Sequence, residues 1–245
     1  MKIKGIDINY IDYGKKTGDP IIFLHGWGQN IEMMKPLADY FKDEYRIIIV
    51  DLPGFGKSDE PDFPWSIFDY RDAIKELLDK LNIKNPNLVG HSFGGKICLS
   101  YASVYNVKNL IVLGSPFKAE TTKLSLKVKI LKMLKKVPVL KRFEAFAKKR
   151  IGSSDYRNAS PMMRQVLVKT VNLDISEEIK KIKCPTLIVW GDLDEAVPVE
   201  HAQELESLIS DAGLVVLKGA THYAYLERVV QVASMIKNLL GGNNK

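Results

Sequence analysis

Six short apolar runs, separated by helix-like sequence, constrain the fold of this 245-residue chain more than any other feature. They are PIIFLHG (20–26), YRIIIVD (45–51), NLVGH (87–91), NLIVLGS (109–115), PTLIVWG (185–191) and GLVVLKG (213–219). Each is rich in β-branched residues and bounded by Gly, Pro, Asp or Asn, as expected of strands buried on both faces of a parallel sheet. Amphipathic stretches at 31–42, 66–82, 93–105, 200–211 and 224–240 read as helices; in the second, Ile67, Phe68, Ile74, Leu77, Leu78 and Leu81 form a stripe. Strand and helix alternating in this way give an α/β fold with a mostly parallel central sheet flanked by helices. The alternating opening IKGIDINYIDYG (3–14) reads instead as a short antiparallel start at the sheet edge.

One interval breaks the rhythm. From Phe117 to about Ile175 no buried-strand run occurs, so an inserted helical cap is expected at 117–175, with 1–116 and 176–245 forming the core. Lys118 to Arg150 holds twelve Lys or Arg against Glu120 and Glu144, a local net charge of +10 in a chain whose total is +7. The remainder is therefore −3, and the basicity belongs to this segment. A solvated lysine face is the commoner reading of such a run, and weak contact with an anionic membrane surface the rarer one. Nucleic acid is not an expected partner, because aromatic residues are sparse there.

Two cysteines, no apolar leader and no apolar run approaching the ~18 residues of a membrane span point to a reduced, cytoplasmic protein. Oligomeric state is not legible, and no metal-ligand cluster or cofactor loop stands out. Gly56-Lys57-Ser58 does match the end of a phosphate-binding loop. That loop needs a glycine five positions earlier, where this chain has Asp51, and a helix directly after, where Pro61 and Pro64 intervene.

The sharpest chemical signal follows the third run. Gly90-His91-Ser92-Phe93-Gly94 satisfies G-x-S-x-G between an expected strand and an expected helix, the context that thrusts a serine oxygen out above a sheet. A serine hydroxyl attacks well only when a base takes its proton and a carboxylate orients that base. Of four histidines, His222 follows both the serine and a set of acids and sits just after the last run; His201 lies in an expected helix and is read as solvent-facing, and His91 as pointing to the other side of the turn. The acids after the penultimate run are Asp192, Asp194 and Glu195.

At this point the chain resembles the α/β-hydrolase fold family, specifically its serine esterase-like members with a helical cap. The family's G-x-x-D-x-x-V-P pattern falls on Gly191, Asp194, Val197 and Pro198, which implies Asp194 as the acid. The segment FLHGWGQN resembles the family's His-Gly-x-x loop, implying that the backbone amides of Trp27 and Phe93 form the oxyanion hole. DLPGFGKSD (51–59) resembles its D-x-x-G-x-G-x-S segment, implying a structural loop in which Lys57 binds no phosphate. The likeness spans about residues 5–240 and is weakest over the insertion.

The resemblance implies a serine hydrolase of a carboxylic ester or related small acyl compound, using Ser92, His222 and Asp194 and no cofactor. A carbon–carbon bond hydrolase with the same triad is the alternative, for which Arg142, Arg150, Arg157 and Arg164 of the insertion could hold a substrate carboxylate. A non-catalytic ligand-binding relative is the third reading; it is disfavoured because all three triad residues are present. Serine at position 92 disfavours a dehalogenase, which in this fold carries Asp there, and few cap carboxylates (Glu120, Glu144, Asp155) disfavour an aminopeptidase.

Overall fold

A computed structural model describes residues 1–119, 155 and 158–242 of the chain. The apolar runs become strands β4 (Pro20–Leu24), β5 (Arg46–Val50), β6 (Asn87–His91), β7 (Asn109–Leu113), β8 (Thr186–Gly191) and β9 (Ala212–Leu217). The opening supplies a separate two-stranded ribbon, β1 (Lys2–Ile3) with β2 (Ile6–Asp7), and then β3 (Tyr10–Gly14), which joins the main sheet. That sheet has seven strands in the order β3-β5-β4-β6-β7-β8-β9, with β3 antiparallel to β5 and every other pair parallel.

The pleat sorts each apolar run onto two faces. Ile22, Leu24, Ile48, Val50, Leu88, Leu110 and Val112 enter one core, under helices α2 (Ile67–Lys80) and α3 (Phe93–Ala102). Their alternates Ile21, Phe23, Ile47, Ile49, Val89 and Ile111 enter the other, under α1 (Ile31–Ala38). Strands of this kind show no polar alternation because neither face meets water. Helix α2 starts where Ser66 and Asp69 exchange hydrogen bonds in a capping box, and its stripe is buried at Ile67, Ile74, Leu77 and Leu78.

The expectation of burial on both faces fails for GLVVLKG. As the last strand, β9 pairs, among the described residues, only with β8, and Val216 is exposed. The helix expected over 224–240 is two helices, α7 (Ala224–Glu227) and α8 (Val229–Gly242), because Arg228 leaves helical geometry at φ −130°. The helix expected at 200–211 is α6 (Val199–Leu208).

Within the 117–175 interval, Ser160 and Pro161 start α4 (Pro161–Val171), and α5 (Ser176–Ile179) follows the interval. The two ends of the interval meet, since the Ile175 amide donates to Phe117 O at 3.0 Å. The basic stretch from Glu120 to Arg150, with its expected helix and its suggested membrane contact, lies outside the described residues. No helix among the described residues is long and apolar enough to cross a membrane.

The strand order places the site. The chain runs from β4 to β5 on one side and then returns across β4 to β6 on the other, and ligands of open α/β sheets bind beyond the strand ends at such a reversal.

Candidate active site

Ser92 stands at the end of β6, where it must turn into α3 without a spacer. Its φ is +50° and ψ −114°, a left-handed conformation rare for a residue with a Cβ. Three hydrogen bonds hold it there: Ser92 N donates to Leu113 O (2.9 Å), and Ser92 O accepts from Ser115 Oγ (2.8 Å) and Lys96 N (3.1 Å). The following helix presses directly on the end of β4. A Cβ at Gly94 would lie 2.3 Å from Leu24 O and 2.6 Å from His25 O, both backbone atoms that cannot move aside. Gly94→Ala is accordingly expected to destabilise the protein by about 3 kcal/mol, measured by urea unfolding.

Asp194 and His222 meet beside this elbow. Asp194 Oδ2 accepts from His222 Nδ1 at 2.7 Å, and Oδ1 accepts the amides of Ala196 (2.9 Å) and Val197 (2.8 Å). The Asp194 side chain is 1% exposed and that of His222 15%. With Nδ1 donating to a carboxylate, Nε2 of the neutral ring carries the lone pair. Gly114, at the end of β7, marks how close the pair sits: a Cβ there would lie 3.3 Å from His222 Nδ1 and 3.4 Å from Asp194 Oδ2. Asp192 is instead an exposed turn residue accepting Gly219 N at 2.6 Å, and Glu195 is exposed. Among the described residues Ser92 Oγ makes no hydrogen bond, so the structure shows no direct bond between serine and histidine.

The segment after β4 lies against the same elbow. Trp27 packs edge-on to Phe93 (ring centroids 5.3 Å) and to Phe55 (4.8 Å), and among the described residues neither the Trp27 nor the Phe93 amide donates a hydrogen bond. Buried His25 fastens this loop. Its Nε2 accepts Leu52 N at 3.0 Å, which leaves the ring proton on Nδ1 to donate to Gly26 O at 2.7 Å. Burial pushes the imidazole down to about 4, against the opposing effects of the Gly26 bond and the Asp51 charge.

His91, expected to point to the other side of the turn, enters a contact that the sequence did not reveal. Its Nε2 lies 3.0 Å from His222 O, its Nδ1 3.3 Å from Gln29 Oε1, and its ring 4.8 Å from that of His222. Burial pushes His91 down to about 3, so the ring is neutral with a single proton. The Gly26 amide donating to Gln29 Oε1 (3.0 Å) fixes that atom as an acceptor, like His222 O, so the one ring proton is assigned to the shorter contact, Nε2 to His222 O. His91 thereby ties the end of β6 to the loop carrying His222.

Asp51 explains DLPGFGKSD. Its carboxylate accepts Ile31 N (2.8 Å), Asn9 Nδ2 (2.7 Å) and Lys57 N (2.9 Å), and it lies so close to Gly56, at φ +59°, that any Cβ there would collide with it. The Lys57 amide is thus spent on a carboxylate.

Two residues depart from expectation or escaped it. His201 on α6 is half-buried and not solvent-facing; its ring meets Phe117 at 6.0 Å and its Nδ1 is buried without a partner among the described residues. Ser115, just past the end of β7, is the donor that holds the Ser92 carbonyl, a role no motif in the sequence marks. Arg164 lies on α4, whereas Arg142, Arg150 and Arg157 fall outside the described residues.

Comparison with known proteins agrees with the architecture. The family described as alpha/beta hydrolase fold matches residues 19–139. The AB hydrolase superfamily protein YisY of Bacillus subtilis is 29% identical, covering 89% of this chain and 90% of its own. A 2-hydroxy-6-oxo-6-phenylhexa-2,4-dienoate hydrolase of Comamonas testosteroni is 28% identical over 90% of this chain and 86% of its own. The solved structure of an esterase from Exiguobacterium antarcticum superposes with a TM-score of 0.77 at 25% identity, covering 97% of both chains. The chain has the alpha/beta hydrolase fold, and it is a hydrolase of that fold.

Proposed function

We propose that the protein is a serine hydrolase that cleaves carboxylic esters or related small acyl compounds through an acyl-enzyme. One observation carries the reading: the 2.7 Å bond from His222 Nδ1 to a buried Asp194, packed against Gly114 at the end of β7, the strand whose Leu113 O holds the left-handed turn of Ser92. In this reading His222 Nε2 takes the Ser92 proton as Oγ attacks the acyl carbon, and then returns it to the leaving alcohol. Water repeats the sequence on the acyl-enzyme: His222 accepts its proton, hydroxide displaces Ser92, and Ser92 recovers the proton. Asp194 keeps the ring in the productive tautomer and stabilises the imidazolium. The amides of Trp27 and Phe93, otherwise unused, would receive the oxyanion. The chemistry draws on no cofactor, the 117–175 insertion is assigned as the cap over the substrate, and a cytoplasmic location is supported by two free cysteines.

The test is turnover of a p-nitrophenyl ester series from acetate to octanoate, together with labelling by a fluorophosphonate. Turnover with one label per chain, mapped by mass spectrometry to Ser92, is the expected result. No turnover and no label would remove the reading. Because a dienoate hydrolase is among the relatives, the second reading is carbon–carbon hydrolysis. It predicts label at Ser92 with weak ester turnover and rapid cleavage of a 2-hydroxy-6-oxo-dienoate.

A further inference from the structure

Lys96 is placed where an apolar residue would be cheaper. It sits on α3 one turn after Ser92, is 2% exposed, and its backbone amide donates to Ser92 O. A buried ammonium is costly unless its protons are used. Here Nζ donates to Thr170 O at 2.9 Å and to Leu173 O at 2.6 Å. Thr170 lies in the last turn of α4, whose terminal carbonyls lack partners within the helix and carry its negative end. Leu173 follows as the chain leaves the insertion. Asp174 faces the same amine and favours its charge, while burial opposes it and pushes it down to about 8.

The other end of α4 rests on the site. Met163, in its first turn, fills the space over Gly54, where a Cβ would fall 2.4 Å from Met163 Sδ. Gly54 precedes Phe55, whose ring packs on Trp27 (4.8 Å) and Phe93 (6.1 Å), the two residues whose amides are assigned to the oxyanion. Two polar ties of α4, Lys169 Nζ to Pro64 O and Ser160 Oγ to Glu60 Oε2, are exposed and contribute little. Helix α4 is therefore pinned at its C-terminal end by a side chain one turn from the nucleophile, and braced at its N-terminal end on the aromatic wall beside it.

From this placement we infer that Lys96 is a positioning residue for substrate: by fixing the exit of the insertion to the nucleophile's own helix, it sets how tightly a large acyl group is held. The inference rests on the serine hydrolase reading for its substrate. A small acyl group, which needs only the elbow and its amides, is insensitive to it. Buried polar groups retained where apolar ones would pack are best understood as fixing one arrangement among several.

The test compares wild type with Lys96→Met, which keeps the volume and removes the donors, and with Lys96→Gln, which keeps a neutral donor. For Lys96→Met the expected result is a KM for p-nitrophenyl octanoate raised about tenfold, with kcat for the acetate within about twofold of wild type. Lys96→Gln is expected to fall between them. Hydrogen exchange of residues 161–174 is expected to accelerate in Lys96→Met while that of β6 and β7 does not. Equal kcat losses on both esters, or unchanged KM and unchanged exchange, would overturn the inference. So would failure of both variants to fold, which would make Lys96 a residue of the core. The exchange measurement needs no substrate. A wild type that hydrolyses no ester therefore counts against the proposed function, and exchange alone then decides on Lys96.

Discussion

Ser92→Ala is expected to lower kcat on a p-nitrophenyl ester by about 10⁴- to 10⁶-fold, because the residual rate comes only from the oxyanion amides and substrate binding. The left-handed turn remains, since alanine carries the same Cβ as serine, so the melting temperature should not fall. His222→Ala is expected to cost about as much as Ser92→Ala. The double variant should be no slower than either single one, because a nucleophile without its base and a base without its nucleophile are equally idle.

Asp194→Asn tests the arrangement more finely. The carboxylate oxygen Oδ1 accepts the amides of Ala196 and Val197, so an asparagine must keep its own oxygen there and turn its NH₂ toward His222. Nδ1 must then be unprotonated and the ring proton moves to Nε2, the nitrogen needed to receive the serine proton. A loss of about 10⁴-fold with little change in KM is expected from the wrong tautomer alone. Full activity in that variant would remove Asp194 from the site, and an equally silent Asp192→Asn would leave the acid unassigned.

How much of this was legible in the sequence depends on how local each determinant is. The strands could be read because a strand buried on both faces writes itself as an unbroken β-branched run, and the elbow because its five-residue motif stands between such a run and a helix, even though Gly94 answers to the distant Leu24 and His25 carbonyls. GLVVLKG reads like the other runs and is yet an edge strand. Whether a second neighbour exists is decided by strand order, which no run of six residues encodes. The acid was narrowed to three neighbours by position alone. The family pattern then singled out Asp194, and the geometry supplies the physical difference: Asp194 turns inward to two amides and Asp192 outward to Gly219. What stayed hidden were side chains acting across long separations: His91 on the His222 carbonyl 131 residues away, and Lys96 on the Thr170 and Leu173 carbonyls 74 and 77 residues away. A histidine beside a serine and a lysine in a helix look unremarkable until the fold places their partners.

The two buried histidines predict an acid limit to stability. In the folded protein burial holds His25 down to about 4 and His91 down to about 3, while in the unfolded chain both return to the ordinary value near 6.5. Above pH 6.5 both rings are neutral in either state, and the fold has its full stability. Below it the unfolded chain takes up two protons that the folded chain refuses, so stability falls steadily toward pH 4 and, for His91, on toward pH 3. At about 1.4 kcal/mol for each tenfold difference in proton affinity, the two rings together remove several kcal/mol across that window. That is a large share of the about 5–15 kcal/mol that typically holds a domain together. Urea midpoints measured from pH 8 down to pH 4.5 should be flat to about pH 6.5 and then drop. A midpoint that holds steady to pH 4.5 would show that neither ring is kept neutral by the fold. The same neutrality serves the proposed chemistry. A charged His91, with its ring 4.8 Å from that of His222, would oppose the imidazolium that His222 must become when it takes the serine proton. The burial that makes the fold acid-sensitive therefore also keeps a competing positive charge away from the base.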